Sequence, residues 1–185
     1  MESIDLIAAK VRVCKLCDLS KGRNNAVPGE GVKSADLFII GEAPGKNEDL
    51  AGKPFIGMAG RFLDKYLSMA GIERSDTFIT NAVKCRPPNN RKPFGSEIEA
   101  CRPYLLGQLT AVEPKLVLCL GTSACTSLGI EYKHLSDIRG RRLDVDFYGV
   151  KVKVFATFHP SFPMRFKTKR NTFLEDLKKV KIILG

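Results

Sequence analysis

The chain has 185 residues, 44% of them apolar, and its 30 basic and 20 acidic side chains leave a net charge of +10. That apolar content excludes a disordered chain, and the length suits one domain over residues 1–185. No apolar run reaches the length of a membrane span, and the charge favours a polyanionic partner, nucleic acid above all, although a solvated basic surface explains it about as well.

The N-terminus mixes charges with apolar residues at helical spacing and lacks the apolar region of a signal peptide, so the expected location is cytoplasmic. Residues 2–12 read as a short helix with Ile4, Ile7, Ala8 and Val11 on one face. Cys14-Lys15-Leu16-Cys17 follows, then a loop over 18–34 rich in turn formers. Within it Val27-Pro28-Gly29-Glu30-Gly31 offers backbone N–H groups suited to a phosphate, or simply a turn.

Leu37–Ile40 is a continuously apolar strand of the kind buried on both faces. It breaks at Gly41 and is followed at once by Glu42 and a glycine-rich loop through Gly60, the place where open α/β sheets put their sites. The remaining elements alternate. A helix spans about 59–70, with Phe62, Leu63, Tyr66 and Leu67 inward, and a strand runs Thr77–Thr80, ending at Asn81. An irregular proline-containing loop covers 82–96, and a helix covers 97–112. A strand follows over Lys115–Leu120, with Thr122 or Ser123 suited to cap a short helix after it. Residues 129–137 read as a turn, with His134 on the surface, and 139–146 and 151–158 as strands about Tyr148-Gly149. The last strand leads into His159-Pro160, and a closing helix takes 171–183. The expected fold is three-layer α/β/α with a mostly parallel central sheet. Glu42, Asn81 and His159 then stand at three strand ends, where they can converge. Each alone reads equally well as a cap, a turn residue or a satisfied histidine.

Six cysteines without an export signal point to metal or catalysis rather than disulfides. Cys14, Cys17, Cys85 and Cys101 form a candidate ligand set whose spacing leaves zinc and iron–sulfur both open. Cys119 and Cys125 read as core residues.

Four motifs in order, Gly41-Glu42-Ala43-Pro44-Gly45, Gly52-Lys53-Pro54-Phe55-Ile56-Gly57-x-Ala59-Gly60, Asn81-x-x-Lys84-Cys85-Arg86-Pro87-Pro88-x-Asn90-Arg91 and His159-Pro160-Ser161, resemble the family 4 uracil-DNA glycosylases. The resemblance covers nearly the whole chain. It implies a [4Fe–4S] cluster on Cys14, Cys17, Cys85 and Cys101 in a structural role, and cleavage of uracil from single- or double-stranded DNA to leave an abasic site. Such enzymes take the base out of the stack into a pocket that reads its edge. On that basis Phe55 stacks on the uracil, Asn81 pairs with N3–H and O4, and Glu48 excludes a C5 methyl. His159 hydrogen-bonds O2, Glu42 orients the attacking water, and backbone N–H groups around Glu42 and Ala43 contact the base. Better-known uracil glycosylases carry an aspartate where this chain has Ala43, so the water falls to Glu42 or to electrostatics alone. Ser161, Met164, Arg165, Lys167, Lys169 and Arg170 are expected at the minor groove, with Met164-Arg165 in place of the family's leucine–arginine wedge. Arg86, Asn90 and Arg91 contact DNA from the loop that the cluster holds. A monomer is expected, with a sliding clamp left open as a partner. Two rivals, a non-catalytic metal-stapled binding module and an iron–sulfur electron carrier, leave respectively the three strand-end residues and the basic clusters unexplained. A glycosylase of shifted base specificity is a third alternative.

Overall fold

In the computed structural model, which describes residues 2–185, the chain begins with α1 (Ile4–Val13) and α2 (Leu19–Gly22). The two-residue edge strand β1 (Glu30–Gly31) precedes the buried β2 (Leu37–Gly41), and α3 (Lys46–Ala51) and α4 (Met58–Met69) follow it. Next come β3 (Thr77–Asn81), α5 (Gly95–Val112), β4 (Leu116–Leu120) and α6 (Thr122–Ser127). The chain closes with α7 (Leu135–Ile138), β5 (Arg142–Phe147), β6 (Val150–Thr157), α8 (Ser161–Arg165) and α9 (Arg170–Leu184).

The six strands form one sheet in the order β1-β3-β2-β4-β6-β5. β3, β2, β4 and β6 run parallel in the middle, and β1 and β5 close the edges antiparallel. The period-2 geometry of a strand explains why the central ones are apolar throughout: successive side chains feed opposite faces. In β2, Leu37 and Ile39 enter one core with Leu116, Leu118 and Leu120 of β4, beneath α4 and α9. Phe38 and Ile40 enter the other with Val117 and Cys119, beneath α5 and α6. A third apolar group, with Ile7, Val11, Val83, Ile98, Cys85 and Cys101, joins α1 to α5. The layers are therefore helix, sheet, helix, as expected.

β2 lies between β3 and β4, so the chain leaves it in one direction through α4 and returns on its other side through α5. That reversal opens a crevice at the C-terminal ends of the strands, and Gly41 and Glu42 stand at its centre.

The differences from expectation are local. α3 lies in the stretch expected to be loop, because its Asp49, 1% exposed, accepts from the backbone N–H groups of Asn24 and Asn25 at 2.9 and 3.3 Å and so ties that segment down. Residues 29–31 make no phosphate loop: β1 pairs with β3, and a Cβ on Gly31 would lie 2.0 Å from the Thr77 carbonyl oxygen. Neither Thr122 nor Ser123 caps α6, whose N-cap is Gly121. Residues 135–138 are helical rather than turn, and β5 starts three residues late, Arg139 making only an isolated bridge to Ala156. On α9 Phe173, Leu177 and Val180 are buried, but Ile183 lies beyond the sheet and is 38% exposed. Among the described residues no helix is long and apolar enough to cross a membrane.

The end of β6 is locked to α9. Asp176, 1% exposed, accepts from Arg139 Nη1 at 2.6 and 2.7 Å and from Thr157 Oγ1 at 2.6 Å. Asp176→Ala strands Arg139 and is expected to lower the unfolding free energy by about 3 kcal/mol, the low end for a broken buried ion pair because the arginine keeps some water. Urea denaturation measures it.

Candidate active site

A cleft of about 410 Å³ opens at the strand ends, and Glu42, Ala43, Glu48, Phe55, Asn81 and His159 all line it, as do Asn90, Arg91, Ser161 and Met164. Residues from the ends of β2, β3 and β6 thus meet, although they are spread over more than a hundred positions of sequence.

The end of β2 is crowded. A Cβ on Gly41 would sit 2.3 Å from the Phe55 ring and 2.4 Å from Asn81 Oδ1, so only glycine lets both side chains lie over the strand end. Phe55 itself has φ +52°, a left-handed conformation uncommon for a bulky residue. Its backbone is held from two sides. Arg74, which also pairs with Asp64 and Glu30, donates to the carbonyls of Phe55 at 3.1 Å and Pro54 at 2.8 Å. Gly60 packs so closely that a Cβ would fall 1.7 Å from the Phe55 oxygen. Phe55 is at once a core residue and the floor of the cleft.

Glu48 is 8% exposed, and its Oε1 accepts the Gly57 N–H at 2.7 Å, at the N-cap of α4. A carboxylate at a helix N-terminus meets unpaired N–H groups and a favourable dipole. It therefore shapes the cleft and also holds α3 against α4.

Asn81 is 2% exposed. Its backbone oxygen accepts from Lys84 Nζ at 2.7 Å, while its side-chain amide lines the cleft without a hydrogen-bond partner among the described residues. Lys84 is itself buried at 1% exposure, bonded only to neutral acceptors, Thr80 Oγ1 and Gln108 Oε1 besides Asn81, and burial pushes its pKa down to about 7.

Glu42 is half-buried, and the hydroxyl of the fully buried Ser123 donates to its Oε2 at 2.6 Å. One carboxylate oxygen is thereby fixed. Ala43, beside it, packs against the cysteine-containing core. His159 faces Phe55 with ring centroids 6.2 Å apart. The Ser161 backbone N–H lies 3.3 Å from Nδ1, and Ser161 Oγ lies 2.8 Å away. Because a backbone N–H can only donate, this geometry assigns Nδ1 as acceptor and leaves the proton on Nε2. Burial holds the His159 pKa below its ordinary value, with the Glu42 carboxylate opposing that shift. The ring is therefore neutral near pH 7.

Sequence reasoning missed Ser123, Arg74 and Lys84. The rule that picked out Glu42, Asn81 and His159 at strand ends applies equally to Gly121-Thr122-Ser123 after β4, so Ser123 was within its reach. Nothing in the sequence marks Arg74. The expected DNA contacts divide. Arg165, Lys167 and Lys169 are exposed on α8 and the 3₁₀ turn after it. Arg86 lies outside the cleft and donates to Asn90 Oδ1 at 2.7 Å. Arg91 is engaged by both carboxylate oxygens of Glu97, and Arg170 lies over the Phe62 ring.

Cys17, Cys85 and Cys101 belong to or pack on the third core group. Burial raises the proton affinity of Cys17, Cys85 and Cys101, the last to about 11, and the neighbouring expected ligands lie close enough to add to the rise in each. Arg23 Nη1 donates to Cys85 Sγ at 2.9 Å and the Leu16 N–H to Cys14 Sγ at 3.4 Å. Among the described residues no three His, Cys, Asp or Glu side chains close on a single ion.

Residues 28–180 match the uracil DNA glycosylase superfamily. The chain is similar to the type-4 uracil-DNA glycosylase of Saccharolobus solfataricus, 44% identical with 100% of this chain and 88% of that protein covered. It is 41% identical to that of Archaeoglobus fulgidus, with 100% and 95% covered, and 40% identical to that of Thermotoga maritima, with 97% and 94% covered.

The depressed His159 pKa has a checkable sign. In proton NMR the ring is expected to titrate below 6.5, and Glu42→Gln, which removes the opposing carboxylate, is expected to lower it further. Since the unfolded histidine then binds its proton first, stability falls as pH drops through about 6.5.

Proposed function

The chain belongs to the uracil-DNA glycosylase superfamily, and we propose that its strand-end cleft binds an extruded uracil and hydrolyses the bond to its sugar, in DNA repair. The observation that carries this assignment of the residues is the unpartnered Asn81 amide, buried at the back of a cleft floored by Phe55 and flanked by Glu42 and His159.

Uracil presents an N3–H donor and an O4 acceptor, which the Asn81 oxygen and NH₂ complement. Cytosine presents the reverse and would leave buried polar groups unpaired, at about 1–3 kcal/mol each. The Phe55 ring stacks on the base, and Glu48, fixed by the Gly57 N–H, fills the space that a C5 methyl would need.

As the C1′–N1 bond breaks, its electron pair goes to the uracil and the sugar becomes cation-like. His159 donates its Nε2 hydrogen to O2, where the anion's charge accumulates, and it does so as a neutral donor. Preorganised donors aimed at developing charge are often the largest single catalytic effect. Glu42 orients the attacking water with the oxygen that Ser123 leaves unused and accepts the proton the water loses. Its carboxylate also favours the cationic sugar. Because Ala43 carries no acid and packs towards the cysteines, Glu42 is the one carboxylate of the Gly41–Gly45 motif. Met164 at the rim wedges into the gap left by the base, and Arg165, Lys167 and Lys169 take phosphates.

Cys14, Cys17, Cys85 and Cys101 would hold a [4Fe–4S] cluster. Their chemistry fits: four thiols converge from α1's end, the proline-containing loop and α5, with N–H donors on two sulfurs. Bound there, the cluster would supply a structural cross-link, with Arg23 donating to Cys85 and Lys84 beside Cys101. Iron and sulfide content of protein purified without oxygen tests this. Cys85→Ala is expected to lose the visible absorption and to lower the melting temperature.

Incubation with a uracil-containing oligonucleotide followed by alkali is expected to break the strand at uracil. An intact strand from folded, cluster-loaded protein would overturn the reading. His159→Ala and Glu42→Gln are expected to slow single-turnover excision by about 100-fold or more. Ser123→Ala, which frees Glu42 without removing it, is expected to slow it about tenfold, the scale of one hydrogen bond to a charge. Asn81→Asp is expected to raise activity on cytosine relative to uracil.

A further inference from the structure

Arg91 lines the cleft, yet it is a poor phosphate ligand, because its charge is already committed. Its Nη1 and Nη2 donate to Glu97 Oε2 at 2.8 Å and Oε1 at 2.6 Å, and Nη1 also reaches the Lys92 carbonyl at 3.1 Å. Glu97 is buried, and it also accepts the Phe94 N–H at 2.7 Å. The arginine holds its carboxyl below the usual range, so the pair stays ionised. The result is a guanidinium plane that cannot turn. Phe94 lies on that plane, with Arg91 Cζ 3.7 Å from the ring centroid. The ring is nevertheless 59% exposed.

Resting on the proposed function, we propose that Phe94 is a stacking platform for an unpaired nucleobase beside the extruded uracil. Arg91 is both a wall of the cleft and the support of the ring, so the platform begins where the pocket ends and a neighbouring nucleotide must pass. Covering the exposed ring with a base removes apolar surface from water, which favours binding. A ring already immobilised by a clamped cation loses little freedom on binding, which favours affinity. Arg86 and Lys92 lie on the same loop, and among the described residues neither pairs with a carboxylate, so they supply positive charge complementary to the phosphates between two such bases. Stacking needs no particular base, since every base has a π-face. The site thus adds affinity without adding sequence preference. The competing role is a lid that only shields the Arg91–Glu97 pair from water.

The chain contains no tryptophan, so Phe94→Trp places a single indole at the platform. Titration with a single-stranded, uracil-free oligonucleotide is expected to quench its emission. An oligonucleotide with an abasic spacer at uracil's place is expected to quench it equally. Removing the base on one side of that spacer as well is expected to restore the emission. Tyr148→Trp, at the opposite end of β6 from His159, is the control and is expected to stay unquenched. Phe94→Leu is expected to weaken single-strand binding by about tenfold, the scale of one base–aromatic stack, with its circular dichroism unchanged. Unquenched Phe94→Trp at saturating DNA, or wild-type affinity in Phe94→Leu, would overturn the platform and leave the lid. Uracil excision by the unaltered protein is measured in parallel. Its absence with quenching intact would sink the glycosylase reading and not the platform, and the reverse result would sink only the platform.

Discussion

At the C-terminal end of β2 there is no room for a side chain. The Phe55 ring and the Asn81 amide both occupy the volume a Cβ on Gly41 would need, and the Phe55 backbone fills the space beside Gly60 in the same way. Gly121 repeats the pattern at the end of β4, where a Cβ would approach His159 Cβ to 3.0 Å. Three missing side chains let an aromatic ring, an amide and an imidazole close over the edge of a parallel sheet. Interiors pack at crystal-like density, so such space is scarce and its location decides where a ligand can enter. The Phe55 floor, the Asn81 amide and the His159 imidazole of the cleft take their positions from this crowding.

The cost appears in the backbone. Phe55 is held left-handed, a conformation that costs on the order of 1–3 kcal/mol and persists only where the surroundings over-determine it. Arg74 supplies part of that determination through two carbonyls, and the apolar core beneath α4, to which the ring belongs, supplies more. Strain placed at the floor of the cleft goes with a rigid pocket whose groups are preorganised.

The charges follow a similar economy. A net +10 suggests a surface of free cations, but several arginines near the site are spoken for. Arg74 holds Phe55, Arg91 is clamped by Glu97, and Arg139 pairs with Asp176 behind the last strand. The exposed cations gather instead on α8 and the turn after it, beside Met164 at the rim. Lys84 is the exception. It is buried without a carboxylate and stands between the Asn81 backbone and the cysteines. Thiolates would give it the counter-charge that the protein withholds.

The alternation of apolar runs with helical periodicity was enough to derive the layers and the central parallel strands, because a strand buried on both faces must be apolar throughout. Strand ends followed by Glu42, Asn81 and His159 marked the site, because open sheets leave their crevice there. What the linear chain does not carry is side-chain direction and distance. That Ser123 spends its hydroxyl on Glu42 and not on a helix cap depends on β4 lying next to β2. That Arg74 reaches Phe55 and Glu97 captures Arg91 depends on how loops fold back over the sheet. Local chemistry determined which residue types stand at the strand ends. Only tertiary packing decided which of them are free to meet a ligand, because a hydrogen bond or ion pair is settled over a few ångströms in space, whatever the separation along the chain.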